Sequence, residues 1–421
     1  MPGELLRVVT AGSVDDGKST LVGRLLHDAK AVLADQMSAV EAASDRRGYD
    51  VADLALLVDG LRAEREQGIT IDVAYRYFAT PRRTFVLADT PGHVQYTRNT
   101  VTGASTADVA VILVDARSGV VDQTRRHAAV AALLRVAHIV LAVNKMDLVD
   151  FDEPVFDGIV TDFTAVADSL ALPGFTPIPL AALTGDNVVE RSIRMPWYAG
   201  PPLLRFLEDV DTAPTAGGAA VPARFPVQVV MRPRSAAFPD YRGYGGKVEA
   251  GTLRAGDEVT VLPSGRASRI EGIDTADGPL EAAEAGRSVV VRLSDDVDLS
   301  RGDVIVGAGE PTPVVARQVT ATLCWLSDRP LRPNDRFVLR HTTRAVRAVV
   351  DDIVGRLDIT TVTSTVTDVL ELNDIGTVRL RVAEPIIADP YAVNRATGAL
   401  LLVDEASGAT MAAGMVVEAT A

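Results

Sequence analysis

The sequence predicts an α/β domain built on a mostly parallel sheet, followed by two all-β barrel domains. Three observations predict it. From Leu5 to about Leu183 short apolar runs alternate with helical stretches, the pattern of a parallel sheet covered by helices. Asp211 to Val221 is rich in Ala, Gly, Pro and Thr and reads as a linker. Beyond it short strands follow one another between Gly/Asp turns, as in small barrels. These shifts place the α/β domain at 1–210, the linker at 211–221 and the barrels at 222–312 and 313–421. A chain of 421 residues is too long for one core, and 47% hydrophobic content with 5% aromatics makes those cores aliphatic.

The first strand, Leu5–Ala11, runs into Gly12-Ser13-Val14-Asp15-Asp16-Gly17-Lys18-Ser19, and Thr20 to Leu26 opens a helix. Strand, Gly-x-x-x-x-Gly-Lys-Ser and helix together read as a phosphate-binding loop rather than a glycine turn beside an exposed lysine. The glycines let successive N–H groups point inward at an anion, which the helix N-terminus also faces. Lys18 is the point charge for β- and γ-phosphate oxygens, and the Ser19 hydroxyl is placed for Mg²⁺. Of 42 basic residues 38 are arginine, yet lysine is kept at 18 and 145, where a compact ammonium on a flexible stem suits the task better than a planar fork.

Further strand candidates are Ile69–Phe78, Thr84–Ala88, Asp108–Val114, His138–Val143 and Thr176–Leu180. Several end at polar or glycine-rich loops, where open α/β sheets bind ligands. The charged, mainly helical segment His27–Gln67 ends in Gly68-Ile69-Thr70-Ile71. Alone this is a surface helix with a glycine C-cap. Nearly fifty residues after a phosphate loop, it reads as a segment whose Thr70 reaches Mg²⁺ and the γ-phosphate only while that phosphate is present.

Asp89-Thr90-Pro91-Gly92-His93 follows the next strand. Asp89 is placed to hold Mg²⁺ through water, the Gly92 N–H to sense the γ-phosphate, and His93 to orient an attacking water. Asn144-Lys145-Met146-Asp147 closes the following strand but one. A carboxylate at Asp147 accepts two hydrogen bonds from the N1–H and 2-amino group of guanine, a donor pair adenine lacks. Asn144 can tie this loop to the phosphate loop, and the Lys145 stem can lie across the base. Ala181-Ala182-Leu183, a weaker signal, would bring the Ala182 N–H near guanine O6. Three such motifs in this order, each at a strand end, predict a GTP site with Mg²⁺.

A formal charge of −14 and pI near 4.9 argue against broad nucleic-acid binding, which needs a basic surface. A single cysteine, Cys324, excludes an internal disulfide framework and fits a reducing cytoplasm. The most apolar stretch, Ala128–Val143, is broken by Arg135 and His138, so neither a leader nor a membrane span is expected.

These motifs, with two barrels behind them, resemble the translation-factor class of GTPases. In finer wording the chain is similar to the GTP-binding large subunits of bacterial sulfate adenylyltransferase: Asp15-Asp16 stands where elongation factor Tu usually has Asp-His. The stretches Asp53–Ile71, Gly92–Asn99, Thr102–Thr106, Asp115–His127, Met195–Tyr198 and Glu371–Gly398 fit as well. The resemblance covers nearly the whole chain. It implies a P-loop GTPase acting in sulfate assimilation. Its smaller catalytic partner subunit would make adenylyl sulfate and pyrophosphate from ATP and sulfate, while this chain hydrolyses GTP to drive that unfavourable step. Lys18, Thr70 and His93 would be its catalytic residues, and Ser19, Thr70 and Asp89 its Mg²⁺ ligands. No second phosphate loop follows, so the fused adenylyl-sulfate kinase of some family members is not expected. Departures are Ala181 in place of Ser, and Val94 and Thr100 in place of Glu and Met. The other function of such GTPases, delivery of aminoacyl-tRNA, would require an RNA-facing basic surface on the barrels.

Overall fold

A computed structural model describes residues 5–30, 37–38, 40, 44, 54–57, 73–92, 97–211, 222–233, 241–309, 311–358 and 363–421. They form two compact units, the first within Met1–Thr215 and the second within Ala216–Asp358 and Thr363–Ala421. Among the described residues no helix is long and apolar enough to cross a membrane.

The first unit is built on β1 (Leu5–Ala11), β2 (Ala74–Ala79), β3 (Thr84–Asp89), β4 (Val109–Asp115), β5 (His138–Asn144) and β6 (Thr176–Pro179), in the order β2-β3-β1-β4-β5-β6. All pairings are parallel except β2 with β3. Sequence explains the difference. Every residue of β4 is buried, as a run covered by helices on both faces must be. On edge strand β2, by contrast, Tyr75 and Tyr77 are exposed on one face while Phe78 stacks on Phe85 of β3, with ring centroids 4.6 Å apart.

The helices are α1 (Lys18–Asp28), α2 (Thr97–Ala104), α3 (Asp122–Leu133), α4 (Glu153–Ser169) and α5 (Leu203–Asp209). On α4, Phe156, Ile159, Phe163 and Val166 form the buried stripe expected of a 3.6-residue period. Buried Arg83 closes α5 by donating through Nη1 to the Leu207 and Val210 carbonyls at 3.1 and 2.5 Å, oxygens the helix end leaves unpaired.

The strand boundaries expected from sequence move in an informative way. Asp89, Asp115 and Asn144 are the last residues of their strands, not the first residues of loops. The backbone ladder therefore positions their side chains. The strand expected from Ile69 is described from Ala74 onward, and Ile69–Asp72 lie outside the described residues.

In the second unit, Glu258–Leu262, Val304–Gly307, Arg224–Met231, Gly243–Lys247, Ser288–Leu293 and Arg266–Thr275 pair in that order. Arg266–Thr275 then pairs back with Glu258–Leu262, closing an antiparallel barrel. A second closed barrel runs Arg336–His341, Ala399–Val403, Thr410–Thr420, Val314–Trp325, Ile375–Ala388, Arg344–Asp358 and back to Arg336–His341. Closure leaves neither barrel with a free edge. The strands of this second barrel run longer than the apolar runs in the sequence because alternate residues face solvent there.

The two barrels are joined by a seam. Leu262, Val304 and Val306 of one pack with Ile387 of the other. Beside them fully buried Arg224 makes a bidentate pair with Asp389, Nε to Oδ2 at 3.0 Å and Nη2 to Oδ1 at 3.1 Å. Thr397 Oγ1 donates to Asp389 Oδ2 at 2.6 Å, and the Arg224 Nη1 and Nη2 groups reach the Pro222 and Pro311 carbonyls.

Candidate nucleotide site

The carboxyl ends of β1, β3, β4 and β5 lie side by side and present the residues singled out in the sequence. The loop after β1 turns through Gly17, whose φ of 90° and position exclude a side chain: a Cβ there would meet Asn144 Nδ2 at 2.4 Å. Gly17 is also the N-cap residue of α1, and no side chain caps the first turn, whose N–H groups are left available to an anion.

Lys18 is folded against its own loop, with Nζ donating to the carbonyls of Gly12 at 3.0 Å and Ser13 at 2.7 Å. Its side chain is buried, and that burial lowers its pKa although Asp89, Asp16 and Asp15 oppose the shift. Gly92 closes over it: a Cβ there would come 2.6 Å from Lys18 Nζ and 2.8 Å from Gly12 O. Only glycine allows the loop after β3 so near the ammonium.

Asp16 lies buried inside the loop, where Oδ2 accepts the Ser13 N–H at 2.5 Å. Burial raises its pKa against that hydrogen bond and the Lys18 charge. Asp89 is fully buried and accepts the Thr10 hydroxyl at 2.9 Å, while Thr90 Oγ1 donates to the Thr10 carbonyl at 2.7 Å. Asp89 Oδ2 is turned toward helix α1, with the Ser19 hydroxyl 3.5 Å from it. One hydroxyl and one carboxylate oxygen, converging beside a phosphate loop, are a donor set that fits Mg²⁺, which takes few protein oxygens and completes its shell with phosphate and water.

On the base side, Asn144 joins three segments. Its Nδ2 donates to the Asp16 carbonyl at 2.7 Å and its Oδ1 accepts the Ala182 N–H at 3.0 Å. The Ala182 N–H thus has a partner within the protein. Lys145, in the left-handed region at φ 63°, donates to the Asp15 carbonyl and lies 3.0 Å from Asp115 Oδ2. Met146 is fully buried and its N–H donates to the Leu180 carbonyl at 3.2 Å, which sets the short helical turn Met146–Val149 carrying Asp147. Ala181 is fully buried, its N–H donating to the Asp186 carbonyl at 3.1 Å, and Leu183 is 48% exposed beside it. Thr100, on α2, is buried with its hydroxyl 3.5 Å from the Pro91 carbonyl. Thr70, His93 and Val94 lie outside the described residues.

Four residues in the site escaped the sequence reading. Arg24 of α1 donates to the Ala182 carbonyl at 3.1 Å and the Leu183 carbonyl at 2.5 Å, clamping that loop from the phosphate side. Asp115 and Arg117 bracket Lys145. His127 of α3 sits beneath the loop, Nε2 at 3.2 Å from both the Gly12 carbonyl and Gln123 Nε2, while Nδ1 has no partner among the described residues. Burial, reinforced by the Lys18 charge, pushes its imidazole down to about 3. An acid at a strand end was a usable signal for Asp115, as it was for Asp89; Arg24 and His127 are helix residues with no local signature.

The family model described as the elongation factor Tu GTP binding domain matches residues 3–215, and that of the GTP-eEF1A C-terminal domain-like family matches residues 318–417. The bifunctional enzyme CysN/CysC of Mycobacterium tuberculosis is 53% identical over 414 residues, 98% of this chain and 67% of that one. Sulfate adenylyltransferase subunit 1 of Sodalis glossinidius is 52% identical over 415 residues, covering 98% of this chain and 86% of that one. The protein of the same name from Laribacter hongkongensis is 49% identical over 415 residues, covering 98% and 85%.

Proposed function

The chain belongs to the sulfate adenylyltransferase subunit 1 family, within the elongation-factor-Tu class of GTPases, and on that premise we propose that it hydrolyses GTP to drive adenylyl sulfate synthesis. Adenylyl transfer from ATP to sulfate takes place on a separate, smaller subunit. The observation that carries the reading is Asn144, whose two hydrogen bonds bind the phosphate loop, the Asn144–Asp147 loop and the Ala181–Leu183 loop into one cradle.

In that cradle the loop Gly12–Thr20 wraps the phosphates. Lys18 turns its ammonium from the Gly12 and Ser13 carbonyls to the β- and γ-phosphate oxygens, placing positive charge where the transition state gathers negative charge. Ser19, Thr70 and, through water, Asp89 would hold Mg²⁺, which would supply further positive charge to the phosphates. The Asp147 carboxylate reads the guanine edge. Gly92, pressed against Lys18, is placed to register the γ-phosphate, so that its departure frees the Asp89–His93 loop. His93 orients the attacking water. His93→Ala should keep nucleotide affinity and lower turnover by about 10²-fold or more; unchanged turnover removes His93 from the mechanism.

The test of the whole reading is GTP hydrolysis by the purified chain with the small subunit, adding ATP and sulfate in turn. Turnover that rises only with the partner and its substrates, with adenylyl sulfate accumulating in step, is the expected result. Turnover that ignores them and answers to ribosomes and aminoacyl-tRNA overturns it.

A further inference from the structure

At the end of β4, Asp115 stands opposite Asn144 in the parallel register, and the Ala116 N–H donates to the Asn144 carbonyl at 2.9 Å. Asp115 is 5% exposed and its carboxylate carries a full set of donors. Arg117 gives Oδ1 its backbone N–H at 2.9 Å and Nε at 3.0 Å, and Oδ2 its Nη2 at 2.6 Å. Lys145 Nζ shares Oδ2 at 3.0 Å. Burial alone would raise the Asp115 carboxyl; the hydrogen bonds from Arg117 and Lys145 outweigh it and hold the group well below the usual carboxylate range. The Lys145 ammonium is thus held between two fixed acceptors, the Asp115 carboxylate and the Asp15 carbonyl of the phosphate loop.

A four-carbon stem anchored at both ends cannot sample its rotamers, and a lysine side chain otherwise carries about 2 kcal/mol of rotamer entropy. Arg117 covers the carboxylate from the solvent side, its own side chain 53% exposed, and it also feels the Asp147 charge. The cluster therefore holds Lys145 by direct contact and feels Asp147 through its charge, the two residues proposed to meet the base.

We propose that Asp115 and Arg117 are positioning residues for guanine nucleotide binding: they preset Lys145, so that its stem lies ready against the base before the nucleotide arrives. This rests on the reading of Asn144–Asp147 as the guanine site. Preorganisation of this kind acts on the base, which GTP and GDP share, and not on the γ-phosphate, which they do not.

The experiment is calorimetric titration of the full chain with GDP and with a non-hydrolysable GTP analogue. Asp115→Asn, which keeps the shape and removes the charge, should raise both dissociation constants by about tenfold and leave their ratio unchanged, a tenfold change being ~1.4 kcal/mol. Arg117→Ala should raise both by about threefold, as befits an exposed ion-pair partner. Asp115→Asn combined with Lys145→Met should bind no more weakly than Lys145→Met alone, because the first residue acts through the second. A merely structural loosening of the loop would shift the GTP/GDP ratio and would multiply the losses, and either result overturns the proposal. Normal affinity in Asp115→Asn with weakened affinity in Lys145→Met overturns the positioning role alone. Normal affinity in Lys145→Met overturns it together with the guanine-site reading. If Asp115→Asn does not fold, Arg117→Ala, a surface change, decides: unchanged affinity for both nucleotides overturns the proposal.

Discussion

In the first unit one group of buried polar side chains, Thr10, Asp16, Lys18, Asp89, Asp115, His127 and Asn144, lies around the phosphate loop at one end of the sheet, apart from structural ones such as Arg83 and Asp186. In the second unit the barrel interiors are apolar, one around Phe225, Tyr244 and Val291, the other around Trp325, Phe337 and Leu380. Its buried Arg224, Asp389, His341, Asn394 and Thr397 gather near the seam between the barrels. Buried polar groups cost stability unless paired. The first unit arranges those around the phosphate loop for a ligand, while the second pairs its own with one another where the two barrels meet.

The largest effect that would break this comparison is at the seam. Asp389→Ala leaves the Arg224 guanidinium buried without its carboxylate, and removing one partner of a buried pair costs about 3–5 kcal/mol. Urea unfolding can follow it through Trp325, one of two tryptophans, once Trp197→Phe silences the other. Arg224→Met with Asp389→Leu should restore most of the loss, since an apolar pair of similar volume needs no desolvation of charge. A loss below about 1 kcal/mol in Asp389→Ala would mean that the seam is held by its apolar cluster instead.

Next in size is Asn144→Ala, which leaves the Ala182 N–H without a partner and cuts the phosphate loop from the base side. With about 1–3 kcal/mol at stake, GTP affinity should fall by about 10–100-fold. The unfolding of the barrels, read from Trp325, should not move. Parallel losses in both signals would show that the polar residues of the first unit serve the whole fold and not the ligand.

The same comparison explains what was legible in the sequence. The site motifs are short in sequence because backbone N–H groups and neighbouring side chains do the binding, so Gly12–Ser19, Asp89–Gly92 and Asn144–Asp147 could be read locally. The strands leading into them could be placed to within a residue or two because β1, β3 and β5 are short, mostly apolar and buried runs. Arg224 and Asp389 are 165 residues apart, and nothing local distinguishes an arginine that pairs across a seam from one that faces water. Arg24 reaches across 158 residues to Ala182 for the same reason. The role of the Ala182 N–H was also out of reach, because it depends on the rotamer that Asn144 adopts.

The smallest effect sharpens the comparison by pH. His127 and His341 are both buried and both pushed below the ordinary imidazole range by burial, yet the charges near them differ in sign. A carbonyl pulls each back up, Gly12 for His127 and Thr397, 2.7 Å from Nε2, for His341, but the charges differ: Lys18 and Arg126 push His127 further down, while Asp389 draws His341 up. A folded-state pKa held below the unfolded one means that the unfolded chain takes up the proton first. The stability is complete above the unfolded value of about 6.5 and is lost as pH falls toward the folded one. With His127 held at about 3, the first unit should lose about 2 kcal/mol between pH 7 and pH 5. His127→Gln keeps an amide donor for the Gly12 carbonyl and does not titrate, so it should flatten that loss in the Trp197 signal. The barrels, with His341 drawn back up by Asp389, should lose less over the same interval. An equal loss in both units would show that burial alone, and not the charge each histidine faces, sets their response to acid.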